Sequence, residues 1–462
     1  MKKPKAGVSG TLWGGKQPLD QRIDRYTAGD DRALDGRLLS WDILGSIAHV
    51  RGLESIEILD EDESLRLQDA LRRALTAAAR GDFIVGPGDE DVHSAVEKRL
   101  ISEVGDLGRK VHTGRSRNDQ VVVDLRLYVK DRLFAVEDRT LGLAGELLRL
   151  GERYEKTLLP GFTHQRRAMP SSVALWAAGF AEGLLDDLQT LDAALALVDR
   201  SPLGSAAGYG APLALPRSKV AEELGFSGIQ HAVTSVQSSR GKIETVVLQS
   251  LWTIAHDLGK LSWDVILFSS EEFALIDLPA ELATGSSIMP HKRNPDIFEL
   301  TRGRAGVMDG LVMQAMGVSG GLPSGYHRDL QLIKEPLMKG LDTTYEMLEM
   351  MHLAIPQLEF REATCEEKVC DELLATDEVF RRVRAGTPFR AAYTEVSEEI
   401  RDGRARFDFS AEEILATRTH EGGAGAPGLA VLQRDIDKRY ARLETLRATF
   451  DAAIKRLAEG ST

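Results

Sequence analysis

Apolar residues recur at spacings of three and four along much of this chain, the period of one helix face. From about Arg32 to Asp82 the pattern is amphipathic and helical, broken by short polar turns, and Gly86-Pro87-Gly88 marks a firmer break. Asp91 to Val104 reads as a further helix. The polar segment Lys110 to Asn118, with Gly114 inside it, suits a loop or the mouth of a helix. Leu133, Val136, Thr140, Leu143, Leu147 and Leu150 then form one stripe on a long helix, which Pro160 and Gly161 interrupt. A second stripe follows Pro170, through Phe180, Leu184, Leu188, Leu191, Leu195 and Val198. Pro202 and Gly204 end it, and Gly208, Gly210 and Pro212 extend the break. A third long helix is predicted from about Lys242 to Phe268. A fourth should begin near Pro295, where proline suits a first turn and Asp296 suits the positive end of the helix dipole.

Helices of more than about 20 residues cannot bury such stripes alone, so a long central helical bundle follows. The β-branched runs that a doubly wound parallel sheet would need between helices are missing. The expected fold class is all-α dominated, with three domains: a mainly helical N-terminal domain over 1–111, the long-helix bundle over 112–362, and a small helical domain over 363–462. The last should consist of shorter, charge-rich segments, with Glu421 to Gly428 as a flexible loop.

Composition narrows the function. The 462 residues carry a formal net charge of −13, which argues against nonspecific nucleic-acid binding but not against an anionic substrate held by a local cationic cluster. No apolar run is long enough for a membrane span, and no apolar stretch follows the basic start MKKPKAGVSG, so neither a membrane nor a secretory signal is expected. Cys365 and Cys370 are the only cysteines. They suit a reducing, cytoplasmic setting and cannot build a four-thiolate metal site.

Three polar segments carry candidate chemistry. In HTGRSRNDQ, residues 112–120, Ser116, Arg117 and Asn118 stand together, offering directed hydrogen bonds and a guanidinium fork that matches a carboxylate. A solvated interdomain loop would have a similar composition. In GFTHQRRAMP, residues 161–170, Thr163 and His164 precede a long helix. The histidine can exchange a proton near neutral pH or merely cap a bundle end. In ATGSSIMPHKRNPDIFEL, residues 283–300, Gly285 frees the backbone beside Ser286 and Ser287, Lys292 and Asn294 follow, and Glu299 lies on the next helix, where it can orient a histidine. The bland alternative is a basic surface loop. Together these groups suit removal of a proton from the carbon beside a carboxylate, which creates a dianion needing fixed donors and a cation. Ser286 and Ser287 sit in no G-x-S-x-G elbow between a strand and a helix, and no strong phosphate-binding glycine loop or H-E-x-x-H helix offers a competing reading.

GSSIMPHKRNP at 285–295 resembles the signature loop of the fumarase and aspartase superfamily, and HTGRSRNDQ is similar to the version of the second block found in argininosuccinate lyases. LWGG at 12–15, DILGSIAH at 42–49, EDVHSAVEKRL at 90–100, SPLGSAAGYG at 201–210, LPSGYHRDLQ at 322–331 and TPFRAAY at 387–393 fit the same family, so the resemblance spans nearly the whole chain. It implies a reversible β-elimination of argininosuccinate to L-arginine and fumarate, with no cofactor or metal. It also implies a homotetramer whose active sites are shared between subunits. Carried onto matching positions, it makes Ser286 the general base, His164 a partner in proton transfer oriented by Glu299, and Lys292 and Asn294 the groups that steady the intermediate. Ser116, Arg117, Asn118 and Thr163 would hold substrate carboxylates or backbone, and Tyr326, Arg328 and Gln331 would face the arginine-like portion.

The chain departs from the family's common pattern at several places. Lys16 replaces an arginine, Gly29 stands where a substrate-binding serine is usual, and Arg328 replaces a lysine. TSVQSSRGKIE, 234–244, lacks the usual Asn-Ser-x-Asp start and Arg-Asp end. These changes surround the substrate rather than the proton-transfer groups. They leave room for another fumarate-releasing substrate such as adenylosuccinate. An inactive structural bundle is the remaining alternative, although Ser286, His164 and Lys292 are all retained.

Overall fold

The computed structural model describes residues 20–460 apart from Pro87; the LWGG motif, Lys16 and the proline of the first predicted break lie outside them. Helices dominate. Short helices α1 (Gln21–Ala28) and α2 (Asp31–Gly36) lead into α3 (Leu39–Glu54), α4 (Glu61–Ala79) and α5 (Val92–Val104). The bundle proper begins with α6 (Arg117–Arg153). A hairpin of β1 (Leu158–Thr163) and β2 (Arg166–Ser172) joins it to α7 (Val173–Val198). The short α8 (Arg217–Glu223) and α9 (Val233–Ser238) precede α10 (Lys242–Phe268). Next come β3 (Ile276–Asp277), the paired β4 (Thr284–Gly285) and β5 (Arg293–Asn294), and α11 (Asp296–Ser319). A 3-10 turn, Arg328–Ile333, runs into α12 (Lys334–Ala354). Beyond β6 (Glu359–Phe360), the chain forms α13 (Glu362–Glu367), α14 (Asp371–Arg384), α15 (Phe389–Arg401), α16 (Ala411–Ala416) and α17 (Leu429–Glu459).

Local sequence sets the ends of these elements. Asp91 caps α5 by accepting from Ser94 N at 2.8 Å, and Ser116 opens α6 with a capping box in which Asp119 accepts from Ser116 N at 2.9 Å. The predicted stripe of α6 is buried, and α6 packs on α7, α12 and α17. The helix α10 packs on α7, α11 and α12, so one continuous core runs along the bundle. The hairpin β1–β2 was not foreseen: Pro160 and Gly161 read as a break, yet both belong to β1. The helix α17, 31 residues long, also departs from the expectation of short terminal segments. It packs on α6, α7, α3, α8 and α4, burying Leu432, Ile436, Leu443, Phe450 and Leu457 beneath a charged outer face.

The bundle has two chemically different ends. Its first end gathers the start of α6, the start of α10 and the end of α11. The opposite end gathers the end of α6, the β1–β2 hairpin and the segment leading to α11; there Phe162 and Phe273 meet at 5.4 Å, and Tyr154 and Phe360 at 5.3 Å. The helix α6, 37 residues, spans about 55 Å at 1.5 Å per residue. No described helix is long and apolar enough to cross a membrane.

Candidate active site

A cavity of about 240 Å³ opens at the first end of the bundle. The start of α6 forms one wall. Ser116 Oγ accepts from Asn118 N at 3.3 Å, which turns the polar run predicted as a loop or helix mouth into a helix N-terminus. Asp119 fixes that terminus to the 201–210 turn, accepting from Gly204 N at 3.0 Å and Ala206 N at 2.7 Å. Arg117 and Asn118 then face the cavity, with Tyr326, Arg328 and Gln331 on the opposite wall. Gln331 donates to the carbonyl of Thr27 at 3.0 Å, and Arg328 donates to the same oxygen at 3.2 Å, so both hold the end of α1 over the cavity. Five of the candidate binding residues therefore converge here.

Other lining residues were missed by sequence reasoning. Lys334 is buried and pairs with Asp31 at 2.5 Å and with Asp35. Arg117 pairs with Glu90 at 2.7 Å and Asp91 at 3.2 Å. Arg240 lies over the Tyr326 ring, 5.5 Å from its centroid. The one available signal was local: two acids four residues apart on a short helix, and an acidic pair at the cap of α5. Their partners lie far along the chain.

His93 also lines the cavity, with a buried carboxylate cluster behind it. Its Nδ1 donates to Asp42 at 2.7 Å and lies 3.7 Å from Asp124. Burial works against its charge, but Asp42, Asp91 and Asp124 outweigh that effect and push the imidazole up to about 9. Asp42, His93 and Asp124 bring ligand-type atoms within 4.8 Å of one another, the one such grouping among the described residues. The short hydrogen bond from Nδ1 to Asp42 makes an imidazolium paired with the Asp42 carboxylate the best description of the cluster, while burial and then the Asp42 charge push the Asp124 carboxyl well above the usual carboxylate range. Nearby, burial and then Arg115 and Arg117 push His112 down to about 4, leaving it neutral.

The remaining candidates are not at this cavity. Thr163 and His164 sit at the exposed tip of the hairpin, where Thr163 pairs with Arg166. His164 and Gln165 have φ of 53° and 58°, so a two-residue turn of positive φ holds the histidine outward without the glycine or asparagine such turns prefer. Ser286 lies between β4 and β5; its Oγ accepts from Met289 N at 3.1 Å and from Ile288 N at 3.4 Å. Ser287 and Lys292 are exposed in the same loop, Asn294 pairs with Thr284 in β5, and Glu299 is exposed in the first turn of α11. No hydrogen bond joins His164 to Glu299 within this chain, among the described residues. The hairpin begins beyond the end of α6, and a six-residue strand reaches about 20 Å, too short to fold back along that helix. Likewise the 24 residues of α11, about 36 Å, separate the Ser286 loop from the segment carrying Tyr326.

Comparison with known proteins bears on this divided arrangement. A family model described as Lyase matches residues 16–310. A protein of Parabacteroides distasonis named argininosuccinate lyase is 42% identical over 414 residues, 90% of this chain and 92% of its own. One of the same name from Sorangium cellulosum is 43% identical over 439 residues, 94% of this chain and 100% of its own. Among solved structures, an EDDS lyase in complex with formate superposes with a TM-score of 0.76 at 21% identity, over 96% of this chain and 94% of that one.

Proposed function

This chain belongs to the argininosuccinate lyase family, within the fumarase and aspartase superfamily, and we propose from that premise that its reaction runs at a site built from several copies of the chain. The reaction is the reversible elimination of argininosuccinate to L-arginine and fumarate, a step of arginine biosynthesis. The observation that carries the proposal is the separation of the candidate groups. Substrate-holding residues lie at one end of the bundle, and Ser286, Lys292 and His164 lie at the other. Copies packed antiparallel along their long helices would bring opposite ends together, and a site drawn from three copies needs more than one two-fold axis, which perpendicular two-folds supply in a homotetramer. The central helices offer apolar surface for such packing: Trp263 is 54% exposed, Leu300 63% and Met313 66%.

In this reading, the carboxylates of the succinyl portion bind at the start of α6, where Ser116, Arg117 and Asn118 supply donors and a cation, with Thr163 contributed by another copy. Ser286 of a further copy removes the Cβ proton. The N–H groups of Ile288 and Met289 already point at its oxygen, and such donors favour the alkoxide. Lys292 and Asn294 steady the dianionic intermediate. The C–N bond then breaks, its electron pair passing to the guanidino nitrogen, and His164, oriented by Glu299 across the assembly, returns a proton to that nitrogen. Closure of the Ser286 loop would exclude water and strengthen each of these interactions.

A mixing experiment tests the shared site. Ser286→Ala and Arg117→Ala variants, each inactive alone, are unfolded, mixed and refolded together. Because the two lesions lie on different parts of each composite site, mixed oligomers should regain a fraction of wild-type activity. Mixed oligomers that form and stay inactive would overturn the proposal.

A further inference from the structure

Arg240 is the unexplained cation of the cavity. It is 7% exposed, and its Nε and Nη1 are buried with no hydrogen-bond partner. An arginine this deep is rarely left unpaired. The local backbone fixes its place. Gly241, at φ 81°, lies so near the end of α11 that a Cβ would come within 2.2 Å of Ser319 Cβ, so this bend admits only glycine. Glu244, the nearest acid along the chain, accepts from Gly241 N at 2.6 Å to cap α10. The four acids of the cavity are also committed, Asp31 and Asp35 to Lys334, and Glu90 and Asp91 to Arg117. The guanidinium lies over the Tyr326 ring, its Cζ 5.5 Å from the centroid.

We infer that Arg240 is the binding group for the α-carboxylate at the amino-acid end of the substrate, and so for that of the product L-arginine. The inference rests on the reaction proposed above. Arg240 lines a cavity whose own acids are all engaged, and its guanidinium keeps two nitrogens without a partner; a carboxylate that arrives with the ligand matches such a fork. It also gives a role to the 234–244 block, which departs from the family pattern.

The test compares L-arginine with agmatine, the same molecule without its carboxylate, as inhibitors of the assembled enzyme. Arg240→Met should raise the inhibition constant of arginine by roughly 10- to 100-fold, the effect of one charge-assisted pair. The constants for agmatine and fumarate should stay unchanged. Arg240→Lys, which keeps the charge but not the fork, should fall between and covers the case in which the methionine variant fails to assemble. An equal rise for arginine and agmatine, a rise for fumarate alone, or no change in a correctly assembled variant would overturn the inference. A wild-type protein that does not turn over argininosuccinate would instead overturn the parent reading, while calorimetric binding of arginine against agmatine would still decide the role of Arg240.

Discussion

Replacing His93 by glutamine removes the cation between Asp42 and Asp124 and leaves a neutral side chain of similar length. The folded-state value of about 9 lies above the ordinary 6.5, so the protonated ring favours the fold. That contribution is fully present below about pH 6.5 and is lost as the pH rises through about 9; the gap corresponds to about 3 kcal/mol. Breaking the buried pair also strands the Asp42 carboxylate, so His93→Gln should be destabilised by about 3–5 kcal/mol near pH 6. Urea unfolding followed by circular dichroism, at one protein concentration because assembly contributes to stability, measures both proteins between about pH 6 and 9. The wild type should lose stability across this window, and the variant should show a flatter profile that converges on it at high pH. Parallel profiles would refute the imidazolium assignment.

Ser286→Ala should lower fumarate production by about 10²- to 10⁴-fold, the range for loss of a general base, with secondary structure and assembly intact; near-normal turnover would remove Ser286 from that role. Gly29→Ser restores the residue usual in the family, but Gly29 has φ 51° at the end of α1, so the serine should cost about 1–3 kcal/mol. Because Arg328 and Gln331 hold the same helix end, the KM for substrate should rise, and a fall in KM would contradict this account.

Much of the fold was legible because the long helices carry unbroken stripes. The predicted bounds of α10 coincide with those observed, and proline marked the start of α11. The hairpin was hidden because its prolines and glycine act locally as breakers, whereas strand pairing from Leu158 to Ser172 overrides them. The polar segments announced themselves by composition, and the structure brings Arg117, Asn118, Tyr326, Arg328 and Gln331 to one cavity. Lys334 escaped notice because its partners Asp31 and Asp35 lie about three hundred residues away, a pairing that no local pattern encodes. His93 and Arg240 escaped for the same reason: their significance lies in which groups surround them, or fail to, after folding.

An elimination at this site requires a substrate with an arginine-like amino-acid end, so two succinyl substrates that differ there tell the readings apart. Purified, assembled protein is given argininosuccinate and, separately, adenylosuccinate, with fumarate followed by ultraviolet absorbance and arginine by chromatography. Argininosuccinate should give fumarate and arginine in equal amounts, and adenylosuccinate should not turn over. Fumarate from adenylosuccinate, with argininosuccinate left intact, would contradict both expectations.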